Sequence, residues 1–219
     1  MTPETIQELR AYMSHFIELN DQEWEQLSSL FKEVHYKKGE HIYGDSEISE
    51  CLYFIIDGIV RSYKLEEDGK DFTWTFHCLN MDTLSHRMLM DIAVVDYVSF
   101  TQGVPEELAF EVLIDATLMK INKKDLLALY ESSPKWQKFA TKMAEDSYAI
   151  MRERTFNLLT KSAKERLDIL EQYFPGVFYK NVLVDHIASY LGITRQSLSR
   201  LQREKENKEY TSGNKCSKG

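Results

Sequence analysis

Apolar positions along the chain change their period twice, from helical to alternating and back to helical. In residues 3–17 and 21–31 they recur at helical spacing, with Trp24, Leu27, Leu30 and Phe31 on one face of the second segment and Asn20 or Asp21 as its cap. From about Glu33 to Ile121 the pattern becomes short β-branched and aromatic runs: Cys51–Ile56, Ile59–Leu65, Phe72–Cys78, Ala109–Ile114 and Thr117–Ile121. They are separated by Gly39, Gly44, Asp57-Gly58, Asp68-Gly69 and Val104-Pro105. The two Asp-Gly pairs have hairpin chemistry, because glycine takes positive φ without a Cβ clash. Short strands broken by such turns predict an antiparallel sandwich or barrel.

Helical spacing returns with Asn122–Ser132, a short helix that ends before Ser133-Pro134. Pro134 suits a first helical turn and opens a long segment to about Leu159. Within it Trp136, Phe139/Ala140, Met143, Ser147, Ile150 and Arg154 recur in steps of three and four. That spacing fits either a seam against a partner helix or a helix packed on its own domain. The next helix, Ala163–Phe174, is capped by Ser162 or Thr160 and stopped by Pro175-Gly176, and Ser162 with Glu165 forms a capping-box pair. Thr211–Gly219, rich in Gly, Ser, Lys and Asn, is expected to be a disordered tail.

Residues Val184–Arg203 carry the most specific pattern. With Val184 as the first of twenty residues, Ile187, Leu191, Ile193, Leu198 and Leu201 fall where two crossed helices make apolar contact. Ala188 is small where the helices approach, Gly192 stands at the tight turn, and Thr194 is placed to cap the second helix. Thr194, Arg195, Gln196, Ser199, Arg200 and Arg203 face outward, with no acid before Glu204. Arginine can pair bidentately with guanine and glutamine with adenine, so Arg195, Gln196, Ser199 and Arg200 are candidate base readers. Thr194, Arg203 and Lys205, with Lys208 beyond them, are candidate phosphate contacts. An ordinary helical hairpin with a solvated face is the alternative.

Charge is distributed in keeping with this. The 219 residues carry a net charge of −8, yet residues 160–219 hold 11 Lys+Arg against 7 Asp+Glu, and the remainder 16 against 28. A basic C-terminal part on an acidic N-terminal part suits a DNA-binding module joined to something else. No apolar run reaches membrane-spanning length, and the N-terminus lacks the pattern of a secretory signal. Cys51, Cys78 and Cys216 are odd in number and without metal-ligand spacing, which points to a reducing cytoplasm.

Over nearly its whole length the chain resembles the Crp/Fnr superfamily of transcription regulators. HIASYLGITRQSLSRLQRE is similar to that family's helix-turn-helix. YKKGEHIY, followed by CLYFIIDGIVRSYKLEEDGKDF, is similar to the first half of its cyclic-nucleotide-binding-like β-roll. The resemblance implies an α+β chain with four parts. An N-terminal antiparallel, jelly-roll-like β-roll flanked by helices spans 1–132, a dimerisation helix 133–160, a helix-turn-helix domain 161–210 and a tail 211–219. It implies a homodimer with Trp136, Phe139, Ala140, Met143, Ser147 and Ile150 at the seam. It also implies double-stranded DNA as partner, RNA polymerase as a further one, and a small-molecule effector in the roll. Phe72, Trp74, Phe76, Tyr97, Phe100 and Phe110 are the candidate pocket residues.

The chain departs from the family in three places. Where the family commonly has Glu it has Gln196, which alters the expected operator. Where cyclic-nucleotide binders carry Phe-Gly-Glu and then Arg-Ser/Thr-Ala, DYVSFTQGVPEELAFEV has no Phe-Gly-Glu and puts Glu107-Leu108-Ala109 at the arginine stretch. A carboxylate there repels a cyclic phosphate, so cyclic AMP is not expected to bind, and Arg61 and Arg87 lie outside the motif. After Arg203 the polar KENKEYTSGNKCSKG lacks the alternation of a β-hairpin wing. Scattered cysteines exclude an iron–sulfur cluster, and His77 and Cys78 read as a pleat-surface imidazole and a packed thiol rather than haem ligands. No enzyme activity is expected. The weighed alternatives are a cupin-like metal enzyme, for which clustered His and Glu ligands are lacking, and a sensor whose helix-turn-helix serves protein contacts.

Overall fold

The computed structural model describes residues 3–14, 16–43, 47–79, 92–174 and 176–216. Helices α1 (Pro3–Met13) and α2 (Asp21–Leu30) lead into strands β1 (Lys32–Tyr36), β2 (Cys51–Leu65), β3 (Asp71–His77) and β4 (Ala93–Val94). Helix α3 (Tyr97–Gln102) and strand β5 (Ala109–Asn122) complete the roll. Then come α4 (Lys123–Ser132), α5 (Pro134–Thr160), α6 (Ala163–Tyr173), α7 (Gly176–Asn181), α8 (Val184–Tyr190) and α9 (Arg195–Cys216).

The sheet is antiparallel, in the order β1-β5-β2-β3, with β4 also paired to β2. Two expected hairpin sites behave differently. Asp68-Gly69 does turn the chain between β2 and β3, closed by the Glu66 N–H to the Lys70 carbonyl at 2.8 Å. Asp57-Gly58 does not turn it. The runs 51–56 and 59–65 join into the single strand β2, and 109–114 joins 117–121 in β5. Gly58 is instead where the ladder shifts register, at φ +94°, and a Cβ there would sit 2.5 Å from the Asp115 carbonyl oxygen.

Two cores hold the molecule together. The first packs α1, α2, α4 and the start of α5 on the sheet, through Leu9, Trp24, Leu27, Ile55, Leu118, Leu126 and Trp136. Asn20 closes the capping box of α2 with Glu23. The second core joins the roll to the C-terminal helices: Ile59, Phe76 and Leu113 pack with Leu167, Leu170, Phe174, Phe178, Ile187 and Leu198. The helix-turn-helix therefore leans on β3 rather than standing apart from the roll.

Several expected boundaries move. Helix α1 ends at Met13 rather than 17, and β1, α3 and α7 were not anticipated. Helix α9 continues through Cys216, across the expected tail, while 217–219 lie outside the described residues. Lys, Glu and Gln from 202 to 209 are good helix formers with opposite charges four apart, and no proline interrupts them. No wing strand follows α9 among the described residues. Nor is any described helix long and apolar enough to cross a membrane.

Candidate functional site

The crossed helices α8 and α9 are built as their sequence demands. Ile187, Ala188, Leu191 and Leu198 are buried between them, and Gly192 makes the turn at φ +65°. The Thr194 hydroxyl oxygen accepts the Ser197 N–H at 3.2 Å, capping α9. With the inner face fixed, Thr194, Arg195, Gln196, Arg200 and Arg203 are exposed, while Ser199 is half-buried. Arg195 reaches Asp185 on α8 at 2.9 Å, and Arg200 lies 3.9 Å from Glu204; both pairs are solvent-exposed and weak. Lys205 differs from its neighbours. Its ammonium bonds to Asp168 at 3.2 Å and to Glu171, so it points back to α6 rather than outward. The side chain of Lys208 lies outside the described residues.

In the roll, α3 and the turn before β5 converge on one buried carboxylate. Asp96 caps α3 by accepting the N–H groups of Val98 and Ser99 on one oxygen, at 3.1 and 3.2 Å. Its other oxygen accepts the N–H groups of Glu107 and Leu108, at 2.9 and 3.2 Å. These last two residues stand where the resemblance noted above implies the family's phosphate-binding Arg-Ser. The amides there are thus already bound to an internal anion, and the Glu107 carboxylate pairs with Lys64 at 2.6 Å. Glu106 beside them takes the Ser49 hydroxyl, and burial with Asp96 and Glu47 nearby pushes its carboxyl up to about 7. A cyclic phosphate does not fit this donor set. Arg61, the other arginine considered, is buried between Asp71 at 2.9 Å and Glu111 at 3.0 Å; Arg87 lies outside the described residues.

A cavity of about 980 Å³ opens between the roll, α5 and the C-terminal helices. Phe72, Trp74, Tyr97 and Phe100 line it, as expected. Phe76 and Phe110 do not: Phe76 is wedged against Phe174, Phe178 and Tyr190, and Phe110 packs edge-on to Tyr43. Phe76 is core because β3 packs on the C-terminal helices, and Phe110 because Tyr43 and His77 enclose it within the roll.

Of the expected seam, Trp136 is only 2% exposed and Phe139 8%, both packed in the chain's own first core. Ala140, Met143, Ser147 and Ile150 are half-buried and line the cavity. Offset from them, Phe156 and Leu159 are exposed at 48% and 77%, while Tyr148, exposed at 71%, also lines the cavity.

Sequence reasoning did not single out Asp96, Arg166 or Ser189, and placed Arg154 on the α5 stripe without a role. The Arg154 guanidinium donates to the Thr73 carbonyl of β3 at 3.0 Å and to the Tyr190 carbonyl of α8 at 3.3 Å. Ser189 takes the Thr73 N–H at 2.8 Å and donates to the Asp71 carbonyl at 2.9 Å. Arg166 donates to the carbonyls of Leu191 (2.9 Å), Leu158 (3.3 Å) and Lys161 (2.6 Å). One signal was available: Arg154 is the one charge on that otherwise uncharged stripe.

Residues 33–133 match the family model of the cyclic nucleotide-binding domain. Among solved structures, FixK2 from Bradyrhizobium japonicum superposes with a TM-score of 0.65 at 22% identity, over 82% of this chain and 86% of that one. A Crp/Fnr family transcriptional regulator from Eubacterium rectale gives 0.60 at 17%, over 87% and 85%. The chain has the fold of these structures, with a cyclic nucleotide-binding domain matched over residues 33–133. A curated relative, the transcriptional activatory protein AadR of Rhodopseudomonas palustris, is 24% identical over 204 residues, covering 86% of this chain and 78% of its own length. Both AadR and the Eubacterium rectale protein are described as transcription regulators. No cluster of three or more His, Cys, Asp or Glu suited to a metal occurs among the described residues.

Proposed function

We propose that this chain is a homodimeric, sequence-specific DNA-binding transcription regulator of Crp/Fnr type, acting in the cytoplasm and responding to an effector other than cyclic AMP. The observation that carries the reading is the exposed Arg195–Gln196–Arg200 edge at the start of α9, on a helix whose opposite face is locked into α8. In this reading Arg195, Gln196, Ser199 and Arg200 meet base edges, and Thr194 and Arg203 meet phosphates. Lys205, tied to Asp168 and Glu171, contributes less than its charge suggests. The dimer forms along α5, and its two reading heads stand about 34 Å apart to enter successive major grooves. RNA polymerase is the further partner that a regulator of this kind meets. Asp96 supports exclusion of cyclic AMP, since a phosphate would have to displace a buried carboxylate from the Glu107 and Leu108 amides.

Selection of duplexes from a randomised library, followed by anisotropy titration at graded salt, tests the reading. A palindromic site whose affinity falls by roughly 10³–10⁵ between about 50 and 200 mM salt is expected. A monomer in light scattering with no duplex affinity at low salt would falsify it.

A further inference from the structure

We propose that the cavity between roll, α5 and reading head is the effector site, and that it takes an uncharged, largely apolar molecule such as a hydrophobic aromatic or long-chain neutral compound. The inference rests on the reading above only in calling the occupant an effector; the site and its chemistry stand without it.

Size is the first argument. At about 980 Å³ the cavity lies at the upper end of the range of small-molecule sites, roughly 300–1,000 Å³. Its walls come from three parts of one chain: Phe72 and Trp74 on β3, Met143 and Ile150 on α5, Tyr173 on α6 and Tyr190 on α8. An occupant therefore touches the sensing half and the reading half together.

The charge state of the wall is the second argument. Its charged side chains among the described residues are Lys64, Asp96, Glu107, Arg154 and Arg166, and each is bound to protein atoms. Lys64 pairs with Glu107, and Asp96 is held by four amides. Arg154 and Arg166 donate to backbone carbonyls of the roll, the helices and the turn. The His77 ring lies 3.1 Å from the Ser62 hydroxyl oxygen. An ionic ligand must either break one of these bonds or bring its charge unpaired against Phe, Trp, Met and Ile, which is costly. A neutral apolar ligand does neither and gains the burial of its own surface.

A second copy of the chain is the other conceivable occupant. The observations favour the small molecule, because Phe156 and Leu159, which lie outside the cavity wall, give a partner helix exposed apolar surface of their own on α5.

The test uses a matched pair of fluorescent probes on the full chain: neutral N-phenyl-1-naphthylamine, and anionic 1-anilinonaphthalene-8-sulfonate, which has the same aromatic body. Expected is saturable binding of one neutral probe per chain, with the sulfonate weaker by roughly tenfold or more. Trp74→Phe should keep that binding while cutting tryptophan-sensitised probe emission by about half or more, since the indole lines the cavity. Met143→Trp, filling the space, should abolish saturable binding. If that variant fails to fold, the probe pair on the unmodified chain still decides. Tighter binding of the sulfonate, or a linear and unsaturable signal, overturns the proposal. So does neutral-probe binding that disappears as rising protein concentration forms the dimer, because a partner helix then fills the space. Duplex binding is measured separately, so DNA affinity without probe binding sinks this inference alone, and probe binding without DNA affinity sinks the functional reading alone.

Discussion

The guanidinium of Arg154 lies 3.8 Å from the ring centroid of Tyr190, while one of its nitrogens bridges the Tyr190 carbonyl and the Thr73 carbonyl of the roll. A single side chain of α5 thus holds the first helix of the helix-turn-helix against β3. Arg154→Ala should loosen that contact. A double-mutant cycle with Tyr190→Ala, read by denaturant unfolding, should give a coupling of about 1–2 kcal/mol. Amide exchange at Thr73, whose N–H is held by Ser189, should quicken in the same variant.

Two basic residues on α9 should part company in DNA binding. Arg200 is exposed at the reading edge, and Arg200→Ala should cost about 1–3 kcal/mol on the best duplex and relax selectivity at one base position. Lys205 is committed to Asp168 and Glu171, so Lys205→Ala should leave the slope of affinity against salt nearly unchanged. A drop in that slope as large as Arg203→Ala produces would show that Lys205 leaves α6 on binding.

Glu106 gives the stability a pH dependence of known sign. Its carboxyl is raised to about 7 in the folded chain against an ordinary value near 4.5, so the folded state holds the proton that the unfolded state loses. Stability should therefore fall as pH rises from about 4.5 to 7 and then level off. Glu106→Gln should flatten this window and stabilise the chain above pH 7. After allowance for partial solvent screening the gain is about 1 kcal/mol, checked by melting curves from pH 5 to 8.

Gly58→Ala tests the close approach inside the sheet. With φ at +94° and a Cβ site 2.5 Å from the Asp115 oxygen and 2.7 Å from the Ala116 Cα, both conformation and space oppose a side chain. A loss of about 3 kcal/mol or more is expected in denaturant unfolding, whereas Gly69→Ala, with open space around it, should cost only its φ strain of about 1 kcal/mol.

The helix-turn-helix was legible because its apolar contacts are local and fall at fixed intervals: Ile187, Leu191 and Leu198 had one arrangement that buried them all. The same was true of the caps at Asn20 and Ser162, where the partners lie three residues apart. Asp57-Gly58 misled because a bulge and a hairpin both need a glycine with positive φ, and the choice depends on the Asp115–Ala116 backbone 57 residues away. The α5 stripe left a choice of a related kind open. Its period was right, but whether Trp136 and Phe139 face a partner or their own core is decided by Trp24, Leu126 and the sheet, which no spacing on α5 reveals. Asp96 was invisible as a ligand mimic because two of its four donors come from a turn eleven and twelve residues on.

That carboxylate also changes what the roll can be made to sense. Because Asp96 is part of the chain, it competes with any dissolved anion as an intramolecular ligand, at an effective concentration of millimolar order or higher that dilution cannot lower. A free phosphate-bearing metabolite at micromolar levels would be outnumbered at its own binding amides before any difference in intrinsic affinity is considered. On the function proposed above, the domain is in this sense insulated from the cell's nucleotide pool, and signal enters instead through the apolar part of the cavity that Asp96 borders.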